Sequence, residues 1–179
     1  MDRACADLAR AFNVPIHTHV AETKLEVENC RGQHHTPVVP HIASHGLLNT
    51  KLLAAHCVHL EKSEMFALKQ AGAGVAHCPS SNLKLASGIA NVKEMLAVGL
   101  NVGVGTDGPA SNNDLDMIEE VRLAALLAKA QSNDPTVLPA RQALELVTRR
   151  GARALHMGDV TGSLEVGKRA DLAVVAMGG

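Results

Sequence analysis

"NVGVGTDG", Asn101 to Gly108, decides between two α/β architectures. Its glycines at 103, 105 and 108 spell G-x-G-x-x-G, the phosphate-cradling turn of a nucleotide-binding sheet, although that pattern alone is weak. The same letters also read as an apolar strand that ends in an aspartate at the C-terminal edge of a parallel sheet. A dinucleotide turn needs a helix to start within the glycine run, so that its first N–H groups meet the pyrophosphate. Here Pro109 and the polar cluster Ser111 to Asp114 are expected to delay the helix to about Asp114. Asp107 would also put negative charge where phosphate should sit. The stretch is therefore read as the last strand of a sheet, with Asp107 at its mouth.

Working outward, three more short apolar runs of the buried-strand type precede it: "VPIHTH" (14–19), "LLAAHC" (52–57) and "GVAHCP" (74–79). Helical patterns separate the runs, at about 2–12, brokenly from Glu22 to about Leu48, then 61–71, 91–98 and 114–131. Strands alternating with helices imply βαβ units and a parallel sheet, because parallel strands need a crossover connection. After Pro135 come two helical segments, "PARQALELVT" and "RRGARALHM", and then "TGSLEVGKRADLAVVAM", which reads as a turn and a β-strand. No repeat of fixed period and no low-complexity linker is present.

Composition removes several functions. The 179 residues carry a net charge of −1, with 46% hydrophobic and 20% charged residues, the balance of a soluble globular domain. A near-neutral chain with scattered Lys and Arg has no surface for neutralising phosphates, so nucleic-acid and anionic-membrane partners are not expected. Two Phe and no Trp or Tyr leave no aromatic platform for stacked bases. No apolar stretch reaches the roughly 18 residues of a membrane span. The first residues, "MDRACADLARAF", read as a helix rather than a signal peptide, and the expected location is cytoplasmic. Cys5, Cys30, Cys57 and Cys78 lack C-x-x-C spacing. Cys57 and Cys78 are expected to pack as small buried thiols.

The ionisable residues fall at one place. His17 and His19 close the first strand, His56 the second, His77 the third and Asp107 the fourth. The C-terminal strand edge is where parallel α/β proteins bind ligands. His17 and His19, two apart, share a strand face, and Glu22 follows at the turn into the helix. Such a set offers neutral imidazoles to hold a metal and a carboxylate to carry protons. His19, Glu22, His56 and Asp107 are the candidate site residues. His17 is expected one layer deeper, as a hydrogen-bonded core residue, and His59 on a solvated loop. His77 is either pocket-lining or buried, and His34, His35, His41, His45 and His156 are read as surface or helix histidines. The H-E-x-x-H motif is absent, as is the paired-cysteine signature of zinc nucleobase deaminases.

In "HTHVAET", "LLAAHCVHL", "HCPSSNLKLASGIANV", "VGVGTDGPASNNDLDM" and "TGSLEVGKRADLAVV", the chain resembles the amidohydrolase superfamily. Within it, the resemblance is to the 5′-methylthioadenosine/S-adenosylhomocysteine deaminases and their chlorohydrolase relatives. It covers most of residues 14–176. It implies the C-terminal half of a (β/α)8 barrel, strands five to eight, over residues 1–156, with 157–179 starting a small β-sandwich. It implies one divalent metal, zinc or alternatively iron(II), with His19 and Asp107 as ligands. By the same resemblance Asp107 accepts a proton from the attacking water, Glu22 protonates a ring nitrogen of the substrate, and His56 assists at the water. Glu22 and Asp107 also contact the substrate, a purine nucleoside or related heterocycle such as a triazine. The superfamily's strand-one H-x-H pair has no counterpart before His17. The chain is thus expected to be a fragment, inactive or nearly so alone, and a homo-oligomer; a triazine- or guanine-type chlorohydrolase or aminohydrolase, or a non-catalytic half-barrel remnant, is the competing reading.

Overall fold

The computed structural model describes residues 2–176. Four strands, β1 (Pro15–Val20), β2 (Lys51–His56), β3 (Gly74–His77) and β4 (Asn101–Val104), pair in parallel in the order β1-β2-β3-β4. Among the described residues neither β1 nor β4 has a partner on its outer edge. The helices between them are α1 (Asp2–Phe12), α2 (Lys24–His34), α3 (Val38–Ser44), α4 (Lys62–Gln70), α5 (Pro79–Lys84) and α6 (Val92–Ala97). A single 3₁₀ turn covers Leu47–Asn49. After β4 come α7 (Pro109–Asn112), α8 (Met117–Ser132), α9 (Ala140–Leu146) and α10 (Arg149–Ala154). Among the described residues no helix is long and apolar enough to cross a membrane.

The register sorts the strand residues onto two faces. Thr18, Ala54, Val75 and Val102 form one row, and Val20 pairs with His56 on the same face. Leu52, Ala54, Val75 and Val102 on this face are fully buried and join Met65, Leu68, Met95, Leu100 and Leu146 in one core. The opposite face carries the row His19, Ala55, Ala76, Gly103, and one step earlier His17, Leu53, Gly74, Asn101. The small residues beside His19 leave room above the sheet. At the start of the strands that room is closed by α10, whose backbone comes so near that Gly74 and Gly103 have no space for a side chain.

Two expectations need correction. No strand forms at residues 170–176 of "ADLAVVAM": they pair with no strand among the described residues, and Val174 is fully exposed. An extended segment with β propensity becomes a strand only when its N–H and C=O groups meet a ladder; the end of the predicted strand, from residue 177, lies outside the described residues. Nor does Pro109 delay the helix after β4. It starts α7, with Gly108 as N-cap, because proline at the first helical position gives up only an N–H that has no intrahelical partner anyway.

Candidate metal centre

β1 delivers His17 and His19 to the open face through the alternation of its side chains, and both are exposed there. His17 is therefore not the core residue expected, because the strand face it occupies lines a cavity instead of packing against helices. Its ring makes no hydrogen bond among the described residues. Partial burial and then the neighbouring His19 and His56 hold its pKa below the ordinary imidazole value, against the pull of Asp107. The cavity, about 250 Å³, is lined by His17, His19, Ala55, Ala76, Cys78 and Asp107, among others. Burial, and then the nearby Asp107, pushes the Cys78 thiol up to about 12, so it stays protonated and inert near neutral pH.

His56 reaches the site by a different route. Its place in the register is opposite Val20, on the helix-covered face. At His56, however, φ is +68°, followed by +51° at Cys57, and left-handed backbone at the strand end turns the side chain out of its row. Such conformations cost about 1–3 kcal/mol each and persist only when the surroundings enforce them. The His56 ring then stacks on His19, centroids 5.2 Å apart and planes 10° apart. It is 1% exposed, its Nδ1 lies 2.8 Å from Asn82 Oδ1, and its Nε2 lies 3.9 Å from Glu22 Oε2.

Asp107, three residues past β4, also has left-handed backbone, φ +62°. Ser81 and Ser111 hydroxyls both donate to its Oδ2 at 2.7 Å. Burial pushes its pKa up, but these hydrogen bonds and one from the Gly108 N–H outweigh it and hold the carboxyl below its ordinary range. Glu22 is placed by two groups absent from the sequence expectations. The Ser87 hydroxyl donates to Glu22 Oε1 at 3.1 Å, and the Glu26 carboxylate accepts the backbone N–H groups of Ala21 and Glu22 at 2.9 and 2.7 Å. Glu26 was findable: Thr23 and Glu26 make a T-x-x-E helix start, in which Thr23 Oγ1 accepts the Glu26 N–H. The Glu26 side chain here reaches beyond the cap residue to the loop that carries Glu22.

The outcome is a convergence of three side chains. One ligand atom each from His19, His56 and Asp107 lies within 4.8 Å of the others, the sole such group among the described residues. Two ring nitrogens and a carboxylate oxygen form a donor set that zinc takes. Ligands at about 2.0–2.1 Å from one zinc stand no more than about 4.2 Å apart, so the set closes with small side-chain shifts. The sequence pairs only His19 with Asp107; the geometry adds His56. His77 stays out, 1% exposed beneath the sheet with its Nδ1 unpaired among the described residues. Alternation explains this: Ala76 faces the cavity, so His77 faces away. His59 is half-buried rather than free on a loop: its Nε2 donates to the Ser87 carbonyl at 2.7 Å, bracing the segment that reaches Glu22.

His77 gives the fold a pH signature. Burial, and then the nearby His56, lowers its pKa to about 4 from 6.5. The unfolded chain therefore binds this proton first, and folding stability falls as pH drops from 6.5 towards 4. The expected loss is on the order of 3 kcal/mol across that window. Denaturant unfolding from pH 7 to 4 reads it directly, and His77→Gln is expected to flatten the slope.

The profile of the Amidohydrolase family matches residues 2–177. A 5-methylthioadenosine/S-adenosylhomocysteine deaminase of Moorella thermoacetica is 54% identical over 172 residues, 96% of this chain and 40% of the relative. One of Desulforudis audaxviator is 51% identical over 163 residues, 91% of this chain and 38% of the relative. Among solved structures, an adenosine deaminase from Xanthomonas campestris with bound zinc superposes with a TM-score of 0.91 at 44% identity, over 95% of this chain and 39% of that one. An atrazine chlorohydrolase from Arthrobacter aurescens complexed with zinc gives 0.84 at 30%, over 95% and 38%. The chain thus spans about 40% of the length of the curated relatives it matches. With the family profile running through every strand, and about half of the aligned residues shared with these relatives, the chain belongs to the amidohydrolase family.

Proposed function

We propose that the chain carries part of the active site of a metal-dependent aminohydrolase acting on adenine-containing nucleosides such as 5′-methylthioadenosine or S-adenosylhomocysteine. The observation that carries this reading is the convergence of His19, His56 and Asp107 at the C-terminal strand edge, with the Glu22 carboxylate 3.9 Å from the His56 ring. On this reading the four strands are strands five to eight of a (β/α)8 barrel, and residues 157–179 lead into a β-sandwich. The substrate class is supported by the names of the relatives at 54% and 51% identity; the chlorohydrolase neighbour stands at 30%.

His19, His56 and Asp107 are the residues that would hold a divalent metal, most simply zinc. When bound, the metal supplies Lewis-acid activation that makes water a nucleophile near neutral pH. Asp107, its carboxyl kept ionised by Ser81 and Ser111, accepts a proton from the attacking water. Glu22 delivers a proton to a ring nitrogen of the substrate, so that the carbon bearing the amino group accepts attack; the proton held by Asp107 passes to the amino group, which leaves as ammonia, and the new hydroxyl returns a proton to Glu22 as it becomes a carbonyl. His56, its Nδ1 committed to Asn82, would give its Nε2 lone pair to the metal and so help fix where the attacking water stands. Three protein donors and one wall of a cavity leave the substrate's other side uncovered.

The test is ammonia release from 5′-methylthioadenosine by the zinc-supplemented chain, alone and joined to the N-terminal part of the Moorella thermoacetica relative. The expected result is little or no turnover by the 179 residues alone and deamination by the joined protein, lost again on Glu22→Gln. Deamination that survives Glu22→Gln would sink the assignment of the proton carrier.

A further inference from the structure

The stretch after β3 serves every candidate site residue except His19. Ser81 donates to Asp107, Asn82 meets His56 and Ser87 donates to Glu22. Asn82 is held in turn through its backbone, while its side-chain Nδ2 has no partner among the described residues. It is 1% exposed, its N–H donates to the Cys78 carbonyl at 3.0 Å, and its carbonyl accepts the Ser87 N–H at 2.8 Å. Behind α5, the buried Glu120 carboxylate accepts the Ser80 N–H at 3.2 Å and the Asn112 amide at 2.7 Å, fixing the start of the helix.

An imidazole nitrogen facing an amide oxygen can only donate to it. We propose that Asn82 is a positioning residue that holds His56 in the tautomer protonated on Nδ1, through the 2.8 Å contact between Nδ1 and Asn82 Oδ1. The consequence lies on the other nitrogen. Nε2 keeps its lone pair and presents it toward Glu22, His19 and Asp107, as a ligand or hydrogen-bond acceptor must. The other tautomer would aim an N–H into the same space and remove His56 from the donor set. The partner of one ring nitrogen decides the state of the other. Asn82 does not touch the reacting atoms; it acts through His56.

The inference rests on the reading of His56 as a site residue, yet the tautomer can be measured without metal or substrate, so the two can fail separately. In the metal-free chain labelled with ¹⁵N-histidine, long-range ¹H–¹⁵N correlation near pH 8 is expected to show His56 with a protonated Nδ1 and a bare Nε2. Asn82→Asp keeps the acceptor and is expected to keep that pattern. Asn82→Leu removes it and is expected to give mixed tautomers. Zinc affinity, measured by chelator competition, is expected to fall about 10- to 100-fold in Asn82→Leu and to recover in Asn82→Asp. A wild-type His56 protonated on Nε2 overturns the proposal, as does an unchanged tautomer in a folded Asn82→Leu chain. If Asn82→Leu fails to fold, the wild-type spectrum and Asn82→Asp still decide. Normal tautomers with no zinc binding would instead sink the metal reading and leave this one standing.

Discussion

Asp107→Asn is expected to weaken zinc binding by the chain by about 100-fold or more, beyond the 10- to 100-fold typical of residues that only orient a ligand. Asp107 is the one carboxylate among three convergent donors, and a neutral amide oxygen in its place supplies no charge to a dication. Asparagine is the informative substitution for two reasons. It tolerates left-handed backbone, as φ +62° at this position requires, and its oxygen still accepts from the Ser81 and Ser111 hydroxyls that touch Asp107. The metal-free variant should therefore melt within a few degrees of the parent. Competition with a calibrated chelator measures the affinity. Equal zinc affinity in parent and variant would remove Asp107 from the donor set.

Gly74→Ala is expected to cost about 3 kcal/mol or more, enough to leave the chain partly unfolded at ambient temperature. A methyl group at this position would lie 1.9 Å from the Ala154 carbonyl oxygen and 2.7 Å from the Ala154 Cα. The obstacle is helix backbone, which no rotamer change can clear. Either β3 or α10 must move, and α10 also packs against β4, where a methyl on Gly103 would meet the Gly151 Cα at 2.9 Å. Gly74 is not needed for its dihedral freedom, since its φ is not left-handed; it is needed for closeness. Thermal unfolding followed by circular dichroism reads the loss. Gly72→Ala two residues earlier is the control: nothing lies within 4 Å, although φ is +69°, so a loss of only about 1 kcal/mol is expected.

All four strands were legible because each is a short apolar run between helical patterns, and their common polar ends made the site's location legible too. Two short helices were not. α5 and α7 each open on a proline that reads as a breaker, Pro79 and Pro109, and each is too brief to show a 3.6-residue period. Their omission mattered, since Ser81, Asn82 and Ser111 lie on them and hold Asp107 and His56. His56 was expected in the same cavity, at the water, but not as a third donor beside His19 and Asp107. Period-2 alternation places it on the far face, and only the consecutive left-handed residues His56 and Cys57 reverse that. The expected final strand failed for the opposite reason: local pattern was sufficient, and the pairing partner that strands require was not among the described residues.

On the proposed reading His19, His56 and Asp107 bind one divalent cation together. X-ray absorption at the zinc edge of the chain loaded with one equivalent tests it most directly. A first shell of nitrogen and oxygen only is expected, with the outer-shell scattering of two imidazoles, reduced to one imidazole in His56→Ala. Sulfur at about 2.3 Å, the distance of a cysteine ligand, or a shell of water oxygens without imidazole scattering, would contradict it.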